Sequence, residues 1–409
     1  MSSPSALSHH NMPAELSANV GVLPTDVLYE VLLHLPANVL CRFRLVCRSW
    51  RSLTSNPDFA QAHTSRHPLL ASIRHNLRYS EVHLVDLNGN IVKRLPIAQH
   101  PIYDLNTQLD MLSVSTVHGD VSYVVNPVSG EVTTLPNGAH FSDVAFCEAS
   151  SQSVLGKIPN YPLCTESSPS LLEHIPSTGE YKVLRTNSYY ATHNGGDRTI
   201  RTCNVITLSS ERWRARPCPP IQTPPTGKDR VVIDGVAYFF LSELYDDNNF
   251  NGEPDSIGSF DLAAEQWRPL ILRGPLNSHL ATADNKLKFN RDYKEDNLQL
   301  VVMNRCLGIV HHKKRDCSMD LWFLVDMDIH KRLWSKRYSI RCESHAHMHP
   351  YPLHLLSDGR ILVWGAEQER VLKVYDPITR VWANLASMEQ YGLVRMHIGS
   401  LLCSGLQSC

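Results

Sequence analysis

Three histidines at alternate positions, His345, His347 and His349, are the residues of this chain whose spacing best suits metal chemistry. Alternate residues of an extended strand share one face, where imidazole nitrogens could ligate zinc or copper. Histidine ligands are normally oriented by further hydrogen-bonding groups, and Glu343 is the nearby carboxylate that the sequence offers. Because an exposed face tolerates three imidazoles without any ion, we expect no metal and no other cofactor.

The signatures of common catalytic sites are absent from the sequence. Neither a G-x-S-x-G nucleophile elbow nor an H-E-x-x-H helix occurs. A Gly-Lys pair at 227–228 suggests a phosphate-binding loop, but Gln222 stands where that loop needs glycine and Asp229 where it needs a hydroxyl. We therefore expect a binding protein with no catalytic residues.

An acidic segment, residues 241–256, is the predicted target-binding element. Its length exceeds the two to five residues of an ordinary hairpin loop, and long loops on rigid scaffolds often bind partners. A calcium loop beginning at Asp247 is less favoured, because Gly258 occupies the position of the bidentate glutamate. A solvated loop without a role is the other alternative. The residues predicted to contact a basic part of a target are Glu243, Asp246, Asp247, Glu253 and Asp255.

The first 66 residues carry the helical signals. Leu28, Leu32 and Leu35 follow one another at spacings of four and three, which predicts an apolar stripe along a short helix. Asn56 and Pro57 provide the start signal of a third helix. Between them, a second helix capped by Asn38 is predicted from a similar stripe: Leu40, Phe43, Cys47 and Trp50.

The run LPTDVLYEVLLHLPANVLCRFRLVCRSWRSLTSNPDFAQAH, residues 23–63, resembles the F-box along its whole length. Two Leu-Pro pairs, the R-F-R-x-V-C-R-x-W core and the N-P-x-F ending carry the resemblance. It implies that this segment docks a Skp-type adaptor protein, which in turn holds the cullin scaffold of a ubiquitin ligase. An ordinary three-helix subdomain packed on the rest of the chain is the alternative. The residues that the resemblance assigns to adaptor binding are Leu23, Pro24, Val31, Leu32, Leu35, Pro36, Leu40, Val46 and Trp50.

After residue 67 the pattern changes to short β-branched and aromatic runs in which one turn motif recurs. An anchor residue ends a strand, and a large apolar residue follows after a polar turn. The seven anchors are Asp86, Asn126, Ile175, Thr207, Asp261, Asp326 and Asp376. Their mean spacing of about 48 residues is close to the length of a four-stranded propeller blade. The sequence therefore predicts a mainly β chain with a small N-terminal α domain: a three-helix F-box, then a β-propeller of six to eight blades, with seven as the central expectation.

Four copies of the motif close with tryptophan, and the large domain has a family resemblance of its own. We expect Trp213, Trp267, Trp334 and Trp382 to be equivalent, each packing at the closing hairpin of a blade and costing about 3 to 5 kcal/mol on truncation to alanine. The strings VVIDGVAYFF, IGSFDLAAEQWRPL and LKVYDPITRVW resemble the plant F-box-associated domain, which is kelch-like. This resemblance implies a propeller that holds a target protein.

The composition restricts the partners. The chain has 39 basic and 40 acidic side chains and a formal net charge of −1, so we expect no nucleic-acid partner. No apolar run reaches the roughly 18 to 20 residues that cross a bilayer, and the 11 cysteines show no C-x-x-C pair, so we expect no membrane association and a cytoplasmic or nuclear location. The predicted domains are a disordered tail (1–21), the F-box (22–66) and the F-box-associated propeller (67–409).

These expectations combine into one function. The sequence predicts a non-catalytic substrate-recognition adaptor of a Skp-cullin-F-box ubiquitin ligase, which binds a Skp-type adaptor through its helices and an unidentified target through its propeller. An F-box scaffold acting outside a productive ligase is the first alternative. A propeller enzyme or sugar-binding propeller is the second.

Overall fold

The structure is a computed structural model of the 409-residue chain. It describes residues 24–75, 80–98, 101–116, 121–136, 164–167, 170–193, 196–210, 212–217, 230–241, 255–276, 297–313, 316–325, 333–342, 350–365, 370–397 and 399–402. In these ranges, four short helices precede 25 strands. The predicted mainly β architecture with a small N-terminal α domain is confirmed.

The helices form a compact helical unit, residues 25–66. They are α1 (Thr25–Leu33), α2 (Ala37–Phe43), α3 (Arg48–Thr54) and α4 (Pro57–Arg66). The start of α4 follows the sequence signal, since the Asn56 side chain accepts the Asp58 N–H at 2.7 Å and Pro57 occupies the first turn. The start of α2 differs, because Pro36 precedes the helix and Asn38 lies inside it.

The predicted second helix is divided into α2 and α3, so the unit has four helices where three were expected. Cys47 has an extended backbone with φ −158° and ψ 166°, which ends the helical path before α3 begins. The Arg44 guanidinium donates to the Thr54 carbonyl at 2.7 Å and holds the two helices at this corner. The rings of Phe43 and Trp50 meet edge to face at 5.2 Å inside it.

The strands form six antiparallel sheets, which we number as blades 1 to 6. Blade 1 contains β1 (Leu69–His75), β2 (Ser80–Val85), β3 (Ile91–Ala98) and the last strand β25 (Tyr391–His397); blade 2 contains β4 (Ile102–Gln108), β5 (Met111–Thr116), β6 (Ser122–Val125) and β7 (Val132–Thr134); blade 3 contains β8 (Cys164–Ser167), β9 (Leu171–Ile175), β10 (Glu180–His193), β11 (Gly196–Thr207) and β12 (Arg214–Arg216). Blade 4 contains β13 (Arg230–Ile233), β14 (Val236–Phe240), β15 (Ile257–Asp261) and β16 (Gln266–Trp267); blade 5 contains β17 (Asn297–Met303), β18 (Cys306–Lys313), β19 (Ser318–Leu324) and β20 (Trp334–Arg341); blade 6 contains β21 (Tyr351–Leu355), β22 (Ile361–Gly365), β23 (Val371–Asp376) and β24 (Val381–Ser387).

The blades close into a ring. The inner strands β25, β4, β9, β13, β17 and β21 contact one another in that order, and β21 contacts β25 again. The last strand closes the ring, because β25 pairs with β1 in blade 1. In this pairing Leu69 lies opposite His397 and Ala71 lies opposite Arg395. The propeller therefore has six blades, within the predicted range and one fewer than its central expectation.

The extra motif copy explains the difference in blade number. When strands are counted outward from the inner strand of each blade, six of the seven anchors stand in sequence at the end of the third strand or just after it, one in each blade. The anchor at Ile175 instead precedes the turn between β9 and β10, the first hairpin of blade 3. A tight turn with the same residue pattern in a different hairpin was therefore counted as a seventh blade.

The core lies between the blades rather than within one central cavity. On β14, Val236, Tyr238 and Phe240 pack against blade 5, whereas Ala237 and Phe239 pack against blade 3. Successive side chains of a strand point to opposite faces, so a strand buried on both sides must be apolar at every position. This is why the strand VAYFF, residues 236–240, is apolar without alternation.

The four predicted tryptophans are equivalent. All four rings are half-buried, and each indole N–H donates to a backbone carbonyl at or beyond the last strand of the preceding blade. The pairs are Trp213 with Pro136 at 2.8 Å, Trp267 with Pro217 at 2.9 Å, Trp334 with Arg273 at 2.8 Å and Trp382 with Arg341 at 3.0 Å. Each ring thus ties one blade to the one before it.

We expect Trp382→Ala to destabilise the propeller by about 2 to 3 kcal/mol, less than the 3 to 5 kcal/mol of a fully buried ring because this ring is half-buried. Trp382→Phe keeps most of the ring but leaves the Arg341 carbonyl without its donor, at a cost of about 1 kcal/mol. Urea unfolding measures both, with the exposed neighbour Val381→Ala as the control. Equal stability of Trp382→Ala and the unmodified chain would contradict the inter-blade role.

Candidate functional site

The helical unit presents two pairs of exposed apolar side chains. Val27 and Val31 lie one turn apart on α1, with 46% and 48% of their surface exposed. Leu45 and Val46 form the turn between α2 and α3 and are 88% and 62% exposed. We call Leu45 and Val46 the corner pair. The fold of this corner keeps two adjacent apolar side chains exposed to water, and a partner that covers them lowers the free energy by burying apolar surface.

The residues predicted to bind the adaptor divide into a core group and a surface group. Leu32 and Leu40 are 1% and 0% exposed and belong to the core of the helical unit. Two more, Leu35 and Trp50, are half-buried, and the exposed ones are Pro24, Val31, Pro36 and Val46. Leu23 lies outside the described residues.

The core position of Leu32 and Leu40 has a simple cause. A helical apolar stripe marks the side of a helix that packs on its neighbours, so the strongest stripe positions become the unit's own core. Sequence periodicity missed Leu45 for the same reason, because this leucine falls off the stripe of the predicted second helix. The available signal was an apolar Leu-Val pair beside arginines, outside both stripes.

The propeller has two different faces. We count the strands of each blade outward from its inner strand. Neighbouring strands are antiparallel, so the turns after the first and third strands lie at one end of the propeller, which we call the turn face. The connections after the second and fourth strands lie at the opposite end, the loop face. The longest connections all leave the loop face: those between Thr134 and Cys164, Phe240 and Ile257, and Trp267 and Asn297.

The helical unit lies on the turn face. The chain enters the propeller at Leu69 and leaves it at His397, which are paired opposite each other at that end of blade 1. A cleft of about 410 Å³ separates the helical unit from the β2–β3 turn, with Pro36 and His67 on one wall and Asp86 and Val92 on the other. Any partner of the loop face is therefore held on the side opposite the helices.

The predicted acidic target contact falls largely on residues outside those described, namely Glu243, Asp246, Asp247 and Glu253. The fifth member, Asp255, is 0% exposed, and its Oδ2 accepts the Leu276 N–H at 2.6 Å. This burial leaves no surface through which Asp255 could reach a target, so we remove it from the predicted contact. The described strands on either side of the segment, β14 and β15, end and begin at the loop face.

Comparison with known families agrees with both parts of this geometry. A family model described as the F-box associated beta propeller domain matches residues 94–375, and the F-box domain model matches residues 22–61. The chain belongs to the F-box proteins. Its architecture, an F-box followed by a β-propeller, is that of an F-box substrate-recognition protein.

Curated relatives of this F-box protein come from Arabidopsis thaliana. F-box protein At1g47810 is 26% identical over 365 residues, covering 78% of this chain and 88% of the relative. F-box protein At5g07610 is 31% identical over 338 residues, covering 78% of this chain and 70% of the relative. Among solved structures, a crystal structure of a Nidogen/Laminin complex overlays with a TM-score of 0.38 at 11% identity, covering 81% of this chain and 96% of that chain. An overlay that distant carries no argument about function.

The F-box core includes a residue from beyond the propeller. Leu402 is 3% exposed and packs among the core side chains of the helices, including Leu32, Leu40 and Phe59. Gly399, three residues earlier, lies close against the propeller, because a Cβ at this position would collide with the Leu109 carbonyl oxygen. The C-terminal segment thus joins the F-box to the propeller in addition to the direct chain connection at residue 67.

Leu402→Ala should loosen the F-box locally, because the lost side chain leaves a cavity in a small core. We expect about 2 kcal/mol less protection of α1 and α4 amides in hydrogen exchange. Leu401→Ala removes the same number of atoms from a side chain that packs on the cluster between blades 1 and 2, so α1 and α4 should exchange normally. Unchanged exchange in Leu402→Ala would contradict the packing of Leu402 in the F-box.

The last turn of α4 is fixed to the end of α1 by polar contacts. His63 Nε2–H donates to the Leu35 carbonyl at 2.8 Å, and His67 Nε2–H donates to the Leu33 carbonyl at 2.9 Å. Burial lowers the pKa of His63 below its usual value, which keeps this imidazole neutral. The Arg66–Glu30 ion pair at 2.8 Å lies at the exposed edge of the same contact.

Two searches restricted to the described ranges concern metals and membranes. No group of three His, Cys, Asp or Glu side chains in these ranges could hold a metal ion, and His345, His347 and His349 lie outside them. None of the described helices combines the length and apolar character needed to cross a membrane.

Proposed function

We propose that this F-box protein brings a target protein to a Skp-cullin-F-box ubiquitin ligase. The observation that carries the proposal is the exposed corner pair, Leu45 and Val46, on a helical unit that the F-box family model matches. Covering both side chains with a Skp-type adaptor would remove apolar surface from water. The adaptor would in turn connect the chain to cullin.

The target is bound by the propeller, on its loop face. The F-box occupies the turn face, and the three longest connections leave the opposite end of the ring. Long loops on a rigid scaffold are common binding elements. Glu243, Asp246, Asp247 and Glu253, in one of these connections, are the proposed contacts for a basic segment of the target.

In this proposal the chain is not a catalyst. It acts by effective concentration and orientation, while other subunits transfer ubiquitin. A six-bladed ring closed by pairing of its last and first strands supports this role, because a rigid connector fixes the distance between the adaptor and the target. We propose that it works in the cytoplasm, the nucleus or both.

A capture experiment tests the proposal. The full chain and a chain lacking residues 22–66 are used to isolate partners from plant extract. The full chain should capture a Skp-type adaptor, cullin and the target, whereas the shortened chain should capture the target alone. Capture of the adaptor without cullin by the full chain would favour an F-box scaffold outside a productive ligase. Absence of the adaptor would exclude the proposed function.

A further inference from the structure

The charges of the F-box are separated into two regions. Residues 24–66 contain the acids Asp26, Glu30 and Asp58 and five arginines. Asp26 and Glu30 lie on α1, and Asp58 lies in the first turn of α4. Three arginines remain exposed on α2 and α3: Arg42, Arg48 and Arg51. We call these three the corner arginines.

The other two arginines have internal roles, and the corner arginines do not. Arg44 donates to Thr54, and Arg66 pairs with Glu30 at 2.8 Å. Within the described part of the chain, the guanidinium group of no corner arginine forms an ion pair or a hydrogen bond. The fold therefore does not use their charges for its own stability.

The position of Arg48 is also unfavourable for the isolated helix α3, whereas Arg42 and Arg51 lie in the last turns of α2 and α3, where a cation is tolerated. Arg48 is the first residue of α3, where the partial positive charge of the helix terminus repels a cation. Arg51 follows one turn later on the same side, so the two guanidinium groups repel each other weakly. The cost at Arg48 is not offset by an acid in the first turn of α3. A cost of this kind is explained if the charges serve a partner.

The corner arginines border the corner pair. Leu45 follows Arg42 by three residues, and Val46 precedes Arg48 by two. An exposed apolar centre with a charged border is the usual arrangement of a protein interface, in which the centre supplies affinity and the border supplies orientation and association rate. The sign of this border is positive.

We propose that the surface which covers Leu45 and Val46 carries carboxylates opposite Arg42, Arg48 and Arg51, so that the F-box selects acidic adaptors. The proposal rests on the proposed function, because the partner is a Skp-type adaptor. Opposite charges on two partners accelerate their association, and the acceleration decreases as salt screens the charges. Among several Skp-type adaptors, the one with the most acidic contact surface should bind fastest.

The test compares two triple variants with the same change of net charge. R42Q/R48Q/R51Q neutralises the corner arginines. The matched control, R212Q/R341Q/R380Q, neutralises three arginines that are exposed on the propeller. Association and dissociation rates with one Skp-type adaptor are measured from about 30 mM to about 500 mM salt, a range over which the Debye length falls several-fold.

The corner variant should associate about tenfold more slowly at low salt and show an almost flat salt dependence, while its dissociation rate changes less than about threefold. The control variant should behave as the unmodified chain. Unchanged association of the corner variant would overturn the proposed carboxylates opposite the corner arginines. Loss of binding in L45D/V46D in the same assay would then show that the proposed function still stands.

Two other outcomes are decisive. If the unmodified chain binds no Skp-type adaptor, the proposed function fails and the inference fails with it. If the corner arginines instead confer binding to a random DNA duplex as strong as adaptor binding, the surface recognises phosphates and not an acidic protein. Either result overturns the proposal, and the two are distinguished by the choice of probe.

Discussion

L45D/V46D should lose adaptor binding by at least about 100-fold while the chain stays folded. Leu45 and Val46 are 88% and 62% exposed, so aspartates at these positions are solvated in the free protein and cost little there. In the complex they would place two charges in an apolar contact without partners, and a buried unpaired charge costs several kcal/mol. Titration of a Skp-type adaptor measures the affinity, and circular dichroism and thermal unfolding measure the fold.

The chain offers a closely matched control. Ile378, in the β23–β24 turn of blade 6, is 87% exposed, so Ile378→Asp makes a similar chemical change at a similar exposure. Its adaptor affinity should equal that of the unmodified chain. Retained affinity in L45D/V46D would show that the corner pair is not the contact, whatever else the F-box binds.

The same comparison explains why two predicted residues are unsuitable for this test. Aspartate at Leu32 or Leu40 would be buried in the F-box core and would unfold the unit. Loss of binding would then report loss of structure. Exposure, which periodicity alone cannot supply, separates a variant that tests the interface from one that tests the fold.

Local signals in the sequence were sufficient for much of the architecture. Asn56 and Pro57 begin α4 as predicted, because side-chain capping depends on only a few neighbouring residues. The turn anchors also behave locally: Asp376 Oδ1 accepts the Ile378 N–H at 2.8 Å and Asn126 Oδ1 accepts the Val128 N–H at 2.8 Å. Such turns repeat because each is stabilised by its own side chain.

The break between α2 and α3 could not be predicted in this way. An apolar stripe runs from Leu40 to Trp50 without interruption, and no glycine or proline separates the helices. The corner depends on Arg44 reaching Thr54 across ten residues and on Phe43 packing against Trp50. These contacts exist only after the unit has folded, so propensity favours one helix where packing produces two.

Contacts between distant residues were missed for a related reason. Leu402 enters a core whose other buried residues lie more than 340 positions earlier in the sequence, and nothing around Leu402 distinguishes it from any other C-terminal leucine. The buried position of Asp255 was missed likewise, since an acid in an acidic segment is expected to be solvated. Ring closure brings Leu402 to the F-box, whereas Asp255 is covered by the segment after β16, where Leu276 donates to it; a single sequence contains no record of either contact.

A cluster of charges between blades 3 and 4 is a further contact of this kind. Glu265, in the turn between β15 and β16, accepts from Lys182 Nζ at 2.9 Å and from Arg214 Nη2 at 2.6 Å, and it also pairs with Arg216. Lys182 lies on β10 and both arginines lie on β12, so one carboxylate of blade 4 holds three cations of blade 3. The side chains of Glu265 and Lys182 are each 9% exposed.

Glu265→Gln should destabilise the propeller by about 3 kcal/mol, because it leaves the buried ammonium of Lys182 and two partly buried guanidinium groups without a counter-charge. The exposed pair of Asp358 and Arg360, joined at 2.7 Å, is the control, and Asp358→Asn should cause no measurable loss of stability. Adding Lys182→Met to Glu265→Gln should recover part of the stability, since it removes the most deeply buried unpaired cation.

The pH dependence gives this prediction a second, independent measurement. Burial alone would raise the pKa of Glu265, but hydrogen bonds from Arg214, Lys182 and Arg216 outweigh it and lower the pKa from 4.5 to about 2. The folded value lies below the unfolded one, so the carboxylate contributes its full stability above pH 4.5 and loses it as the pH falls toward about 2. The difference in unfolding free energy between the unmodified chain and Glu265→Gln should therefore be constant near neutrality and shrink below pH 4.5. A difference that stays constant down to about pH 3 would mean that Glu265 acts through packing and not through its charge.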